Sequence, residues 1–293
     1  MLAPIVSSLN NAERIMFNFV LEQFPMLQYL GAISDDTVKY LIRYTLDLML
    51  YDNMIGRDVN FRFSDETSVW NTNNPKIYFE RLFLNEGIQV FENMKKNQFI
   101  SVLCTHNAVW HSKVYFKAFP AIKMLHCKRN PVNIIFRWYE KGFGSQFYSD
   151  PQNRLLTFKW NKNILPYYAF GWEEKYLKLS EIDSIINMVY HISKQHIKSY
   201  NSLSKKHQNQ ILILPFENFV TDPNKHLEKI CSFLNTKESS FTQINLKNEN
   251  IPRDKKNNDT KEKLIKIKKL ASKESFELLL LMNESYDNEN ILL

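Results

Sequence analysis

The feature that most constrains the fold is a repeated order of short apolar run, polar turn and amphipathic helix. Apolar runs of strand length stand at residues 98–104 and 122–128, and apolar side chains at helical spacing follow each of them. Two further runs, at residues 1–8 and 211–214, are also predicted as strands. Strands and helices that alternate through short turns are typical of parallel sheets covered by helices. We therefore predict a three-layer α/β/α fold with a central parallel sheet.

Polar residues that directly follow three of these runs indicate where a ligand binds. Asn10, His106 and Arg129 each come just after a predicted strand. Ligands of parallel sheets lie at the carboxyl ends of the strands, so these three residues are expected to line one crevice. After the first strand, a helix is predicted to begin at Ala12 or Glu13 and to run to about residue 23. The start of such a helix offers backbone N–H groups to a phosphate.

Arg129 has two interpretations when its own stretch is considered alone. It ends an apolar run and precedes Pro131 and a segment with Ile134 and Trp138 at helical spacing. A guanidinium beside a helix start is a good anion site. The same arginine also suits a surface ion pair with a carboxylate. The stretch by itself favours neither interpretation.

Composition favours an acidic ligand. The net charge is +7 and the isoelectric point is near 9.1, which suits a nucleotide, an acidic sugar or nucleic acid, or merely a solvated basic face. The three cysteines have neither disulfide nor zinc spacing, which indicates a reducing compartment. No apolar run approaches the roughly 18 residues of a membrane span, and the amino terminus does not resemble a signal peptide. We predict a cytoplasmic protein.

The chain is predicted to form a single domain over residues 1–293, since it contains neither an internal repeat nor a low-complexity linker. Two segments are candidates for substrate loops. Residues 53–75 are polar and contain arginine, aspartate and aromatic side chains. Residues 143–180 are irregular and rich in aromatic residues, which suits either an acceptor-binding wall or a satellite hydrophobic cluster.

Three separated segments together resemble one family, the sulfotransferases that use 3′-phosphoadenosine 5′-phosphosulfate as donor. They are Thr105-His106 after a strand, Arg129 to Tyr139, and Ile211 to Leu234 with its Phe-Glu-Asn turn. A basic loop follows from Arg253, and the last helices look similar to those of bacterial members. The resemblance implies a sulfotransferase fold of the P-loop NTPase-like type.

The resemblance also implies roles for individual residues. His106 matches the general base, which takes the proton of the acceptor. Arg129 and Arg137 match positions that bind the 3′-phosphate, and Arg253 and Lys255 match a loop that closes over it. No metal is implied, and no group of ligating residues has metal spacing. The acceptor is expected to be a small molecule or a glycan; a saccharide hydroxyl is the first choice by analogy.

The donor loop departs from the family pattern. Its matching residues are Asn10, Asn11, Ala12, Glu13 and Arg14, which are expected to hold the 5′-phosphosulfate. Asn10 replaces a basic residue, and Arg14 is the candidate that supplies the missing cation as a second catalytic residue. Glu13 would repel the donor unless it is neutralised or turned away.

Three functions therefore remain open from the sequence. The first is an active sulfotransferase, and the second is a degenerate relative that binds nucleotide or glycan without turnover. The third, a nucleic-acid binder, has only charge and scattered aromatics in its favour, and nucleic acid is not expected as a partner. No oligomeric state is predicted.

Glu217 is interpreted as a turn carboxylate that caps backbone N–H groups, and His111 and His126 are weaker base candidates than His106.

Overall fold

The computed structural model describes residues 2–85, 87–144, 155–254 and 260–287. Its strands, in chain order, are β1 Ala12–Met16, β2 Ile100–Leu103, β3 Met124–Lys128, β4 Thr157–Trp160, β5 Asn163–Pro166 and β6 Ile211–Pro215. The helices of the first half are α1 Leu2–Ser7, α2 Phe19–Tyr29, α3 Asp35–Met54, α4 Lys76–Arg81, α5 Ile88–Asn97, α6 Ser112–Ala118 and α7 Pro131–Glu140.

The helices of the second half are α8 Glu173–Tyr176, α9 Glu181–Asn201, α10 Lys205–Gln208, α11 Phe216–Thr221, α12 Pro223–Leu234, α13 Ser240–Asn248, α14 Thr260–Leu270 and α15 Lys273–Asp287. Two short 3₁₀ helices span Val69–Asn71 and Tyr167–Ala169. The protein is therefore a mixed α/β protein.

The chain divides into two compact units, and each unit is assembled from separate stretches of sequence. Unit 1 comprises the described residues within 1–22, 39–106 and 218–253. Unit 2 comprises those within 23–38, 107–217 and 254–293.

Unit 1 is built around the parallel pair β1 and β2. Ala12 lies opposite Ile100 and Met16 opposite Leu103, with a shift of register between these two pairs. Helix α1 packs against both strands and against α13. Its residues Leu2, Ile5 and Val6 follow helical spacing, and Ile5 is fully buried.

Charged residues of β1 are paired inside unit 1. Glu13 accepts two hydrogen bonds from the guanidinium of Arg81, at 2.6 and 2.8 Å, and further bonds from Tyr78 and Asn53. The main-chain N–H of Arg14 donates to the Tyr78 hydroxyl at 2.7 Å. This network ties β1 to the end of α3 and to α4, and it neutralises the buried carboxylate of Glu13.

Unit 2 contains a second parallel pair, β3 and β6, in which Met124 lies opposite Ile211 and Lys128 opposite Pro215. Helix α9 packs against α7 and α15. Their shared core includes Ile135, which is fully buried. Strands β4 and β5 form a separate antiparallel hairpin. The prediction that parallel strands alternate with helices is thus confirmed.

Two predictions for the amino-terminal region are wrong. Residues 1–8 were expected to form a strand, but α1 occupies Leu2–Ser7. A helix was expected from residue 12, but β1 occupies Ala12–Met16 and α2 begins only at Phe19. The reason is that Glu13 and Arg14 made β1 look too polar for a buried strand, whereas unit 1 supplies partners for both side chains.

Candidate active site

Strand β1 is joined to helix α2 by a two-residue turn. After Met16, the chain turns through Phe17 and Asn18. The side-chain oxygen of Asn18 accepts hydrogen bonds from the backbone N–H groups of Val20 at 2.9 Å and Leu21 at 3.1 Å. Asn18 therefore caps α2, which begins at the carboxyl end of the strand.

His106 is held by a carboxylate from the first turns of α2. Its Nδ1 lies 3.0 Å from Oε1 and 3.2 Å from Oε2 of Glu22. The main-chain N–H of His106 also donates to Glu22 Oε1, at 2.6 Å, and the hydroxyl of Thr105 bonds to the same carboxylate. The Glu22 side chain is 5% exposed, whereas that of His106 is 71% exposed. A buried carboxylate thus orients an imidazole that reaches solvent.

Each side chain of this pair alters the pKa of its partner. The hydrogen bond to Glu22 raises the pKa of His106 above its ordinary value of 6.5. Burial acts to raise the pKa of Glu22, but hydrogen bonds from His106 and Thr105 outweigh burial and lower it. When His106 is neutral, the bond to Glu22 favours the proton on Nδ1, so Nε2 carries the lone pair and can accept a proton.

A cavity of about 340 Å³ lies beside the carboxyl end of β1. Phe17 lines it, and the ring of Phe17 contacts the ring of His106, with centroids 6.1 Å apart. Its other wall comes from the predicted substrate loop 53–75, through Asp58, Asn60 and Thr67. One aromatic side chain thus contacts both the cavity and the imidazole.

The residues expected to hold the 5′-phosphosulfate lie at the other end of β1. Asn10, Asn11, Ala12 and Glu13 line a smaller cavity of about 130 Å³ at the amino end of the strand. A five-residue strand spans about 13–16 Å, and His106 follows the carboxyl end of the parallel partner β2. The expectation that Asn10 and His106 line one crevice is therefore wrong.

Arg14 is buried within β1 and has several partners. Its Nε donates to Asn53 Oδ1 at 2.8 Å, and its Nη atoms donate to the carbonyl oxygens of Ile15 and Asp58. Arg14 also lines the larger cavity. It is thus a wall of that cavity rather than a residue at the start of a helix, which was the premise of its predicted role.

In unit 2, Arg129 follows β3, as predicted. Its guanidinium lies over the ring of Phe216, 4.6 Å from the centroid. Asn130 caps α7 by accepting hydrogen bonds from Val132 N and Asn133 N. This arrangement sets a stacked guanidinium beside the start of a capped helix.

Glu217 supports that turn from the neighbouring strand end. Its Oε1 accepts a hydrogen bond from the main-chain N–H of Asn130 at 3.1 Å, and Oε2 accepts one from the Tyr286 hydroxyl. The prediction that Glu217 caps backbone N–H groups is confirmed.

Arg137 lies two turns into α7 and is exposed. Within the described part of the chain, its side chain forms neither a hydrogen bond nor an ion pair. Arg253, in unit 1, donates from Nε to the carbonyl of Asn250 and from Nη2 to that of Glu249, close to the end of α13. Lys255 lies outside the described residues.

The weaker base candidates of unit 2 are less accessible than His106, since His111 is buried and His126 is half-buried. Burial lowers the pKa of His111 to about 3 and, with Lys128 nearby, that of His126 to about 4. The Nε2 atoms of both rings are buried, whereas the side chain of His106 is exposed.

Sequence reasoning missed Glu22, the partner of His106. The cause was the wrong start of the helix, which placed Glu22 near its last turn. Asn18 is a favoured N-cap residue, and recognising it would have placed Glu22 in the first turns of a helix beginning at Phe19.

The described residues contain neither a metal-binding cluster nor a membrane-spanning helix. No group of three or more histidine, cysteine or acidic side chains there is arranged to hold a metal ion. None of the helices in that part of the chain combines the length and the apolar character needed to cross a membrane.

Comparison with known families gave one match. The family described as "Sulfotransferase domain" matches residues 8–278, a range that draws on both units. Searches of curated proteins and of solved structures found no match.

Proposed function

This chain belongs to the sulfotransferase domain family, and we propose that it transfers a sulfuryl group from 3′-phosphoadenosine 5′-phosphosulfate to an acceptor hydroxyl. The observation that carries the proposal is the bond between buried Glu22 and exposed His106. It resembles the way in which a carboxylate orients a catalytic histidine and fixes its tautomer.

His106 acts as the general base in this proposal. Its Nε2 takes the hydroxyl proton while the acceptor oxygen forms a bond to sulfur. The bond between sulfur and the 5′-phosphate oxygen breaks, and adenosine 3′,5′-bisphosphate leaves. Glu22 stabilises the imidazolium that results. The product is a sulfate ester, and the imidazolium later returns its proton to solvent.

Arg129 and Arg137 hold the 3′-phosphate in this account. The Phe216 ring and the turn at Asn130 support Arg129. Arg137 projects from the same helix that Asn130 caps, eight residues after Arg129. Two guanidinium groups match the charge of a phosphate, and their planar donors suit its oxygens.

Residues 10–14 are not part of the proposed site for the 5′-phosphosulfate, because residues 10–13 lie at the amino end of β1 and Arg14 is buried within it. The turn at Phe17 and Asn18 replaces them, because it joins the carboxyl end of β1 to the positive end of the α2 dipole. We assign Arg253 no role in binding the donor, because its guanidinium donates hydrogen bonds to carbonyls near the end of α13. The role of Lys255 stays a prediction from the sequence.

The acceptor enters the cavity of about 340 Å³ beside Phe17. Its walls contain both polar and apolar side chains, which suits a hydroxylated molecule.

A cytoplasmic location is proposed because all three cysteines are free, as in proteins of reducing compartments.

The test is transfer of labelled sulfuryl from the donor to a set of phenols, amines, monosaccharides and oligosaccharides. We expect a labelled product from at least one acceptor, and none when the donor carries its label only in the adenosine. A protein that binds adenosine 3′,5′-bisphosphate but labels no acceptor in the set would contradict the proposal.

A further inference from the structure

Four aromatic side chains of unit 1 form a row on its surface, which we call the aromatic row. In order along the row they are Phe61, Phe79, Trp70 and Phe63, with ring centroids 5.1, 5.9 and 5.7 Å apart. The exposed fraction of the residues ranges from 36% for Trp70 to 77% for Phe63. A contiguous exposed apolar surface of this kind marks a binding site more often than scattered single residues do.

The backbone holds the row in place. The indole N–H of Trp70 donates to the carbonyl of Phe61 at 3.1 Å. Trp70 itself lies in the short 3₁₀ helix 69–71, which the side chain of Ser68 caps. The N–H of Val69 donates to the carbonyl of Asn60 at 2.9 Å. The rings are thus positioned before any ligand arrives, which lowers the entropic cost of binding.

The row continues from the cavity proposed for the acceptor. Asn60 lines the cavity, and the next residue, Phe61, begins the row. The amide of Asn60 donates to the hydroxyl of Thr67, another lining residue, at 2.8 Å. We therefore expect a ligand that is held in the cavity and long enough to leave it to meet the row, three of whose rings lie on this loop and the fourth on α4.

The charges around the aromatic row are balanced, which argues against a strong binding site for a polyanion. Residues 57–83 contain four basic and four acidic side chains, although the whole chain carries +7. Arg62 pairs with Asp65 at 3.2 Å, and Lys76 pairs with Glu80 at 3.4 Å. Binding of single-stranded nucleic acid requires a positively charged groove along the backbone. The row offers flat apolar rings bordered by balanced charges and amides instead.

We propose that the aromatic row binds the sugar rings of an oligosaccharide acceptor, one hydroxyl of which enters the cavity lined by Phe17. The C–H faces of pyranose rings stack on exposed aromatic rings, while hydroxyl groups at the ring edges reach amides and carboxylates of loop 53–75. The proposal rests on the sulfotransferase function proposed above, and it names the class of acceptor.

The test measures binding of the full chain to a panel of oligosaccharides with four to eight sugars, by calorimetry with adenosine 3′,5′-bisphosphate present. We expect at least one member to bind, and Trp70→Ala and Phe63→Ala each to raise its dissociation constant by about tenfold. Phe91→Ala is the matched control, since Phe91 is a 55% exposed phenylalanine of unit 1 outside the row. Thermal unfolding of each variant separates lost binding from lost folding.

Several results would overturn the proposal. These are binding of no oligosaccharide, equal losses in the Phe91 variant, or a Trp70-dependent preference for phosphatidylcholine vesicles or a 20-nucleotide single-stranded DNA. Failure here is distinguishable from failure of the proposed function. If the enzyme labels a small phenol and Trp70→Ala has no effect on binding or transfer, the proposed function stands and the proposed role of the aromatic row is wrong. If the protein binds oligosaccharides through the aromatic row but never labels an acceptor, the role of the row stands and the proposed function is wrong.

Discussion

Glu22 and His106 are the pair of side chains on which the proposed chemistry depends. A base must be neutral to accept a proton, and the carboxylate favours the charged imidazolium. Activity is therefore expected to rise with pH through a pKa above 6.5. The carboxylate makes His106 a stronger base at the cost of a smaller neutral fraction in mildly acidic solution.

Glu22→Gln is predicted to lower the pKa of His106, because the amide carries no charge to stabilise the imidazolium. The measurement is a histidine titration by NMR in wild type and variant. Glu92→Gln, an exposed glutamate on α5, is the control and should leave the titration unchanged. An equal pKa in wild type and Glu22→Gln would show that the carboxylate does not act on the ring.

Arg129→Ala and Arg137→Ala are each predicted to raise the dissociation constant for adenosine 3′,5′-bisphosphate by roughly 10- to 100-fold, the typical effect of losing charge-assisted hydrogen bonds. Calorimetry checks this. Arg43→Ala removes an equal charge from a 61% exposed side chain on α3 and is the control. The 3′-phosphate assignment fails if the Arg129 variant binds as wild type does.

Strand β1 is the element that is hardest to predict from the sequence. Strands β2, β3 and β6 coincide with apolar runs in the sequence, and all three are predicted from them. In β1, Glu13 and Arg14 interrupt the apolar run, and only the tertiary partners at Asn53 and Arg81 explain why they are buried. Because a helix was predicted where β1 lies, the donor loop was assigned to the wrong end of the strand and Glu22 was not recognised as the partner of His106.

Arg81→Met is predicted to lower the free energy of unfolding by about 3–5 kcal/mol, because it leaves the Glu13 carboxylate buried without its guanidinium. Urea unfolding measures the loss. Lys76→Met on the same helix breaks only the exposed pair with Glu80 and should change the value by less than about 1 kcal/mol. Similar effects in both variants would mean that the buried pair has no special role.

At the scale of the whole chain, the family match spans residues 8–278 and includes residues of both units. The family was recognisable from the order of the segments around His106 and Arg129, whose roles stay predictions. The cavity and the aromatic row were not, because residues 53–75 lack periodicity and their contacts arise only on folding. The single-domain description stays a prediction.

The folded chain is predicted to lose stability as the pH falls from about 6.5 towards 4. Burial lowers the pKa of His111, His126 and His196 to about 3, 4 and 3, so the unfolded chain binds more protons than the folded chain in this range. Each histidine contributes at most about 1.4 kcal/mol per pH unit. Urea unfolding at pH 7 and pH 5 measures the change, and His196→Gln should reduce its slope. Equal or greater stability at pH 5 would contradict the prediction.

The central claim is that His106 is the general base of sulfuryl transfer. The most direct measurement is the rate of labelled transfer by wild type and His106→Ala, with binding of adenosine 3′,5′-bisphosphate measured on the same samples. We predict a loss of roughly 10²- to 10⁴-fold in kcat for His106→Ala, while the bisphosphate binds with unchanged affinity. Transfer by His106→Ala at the wild-type rate would contradict the claim.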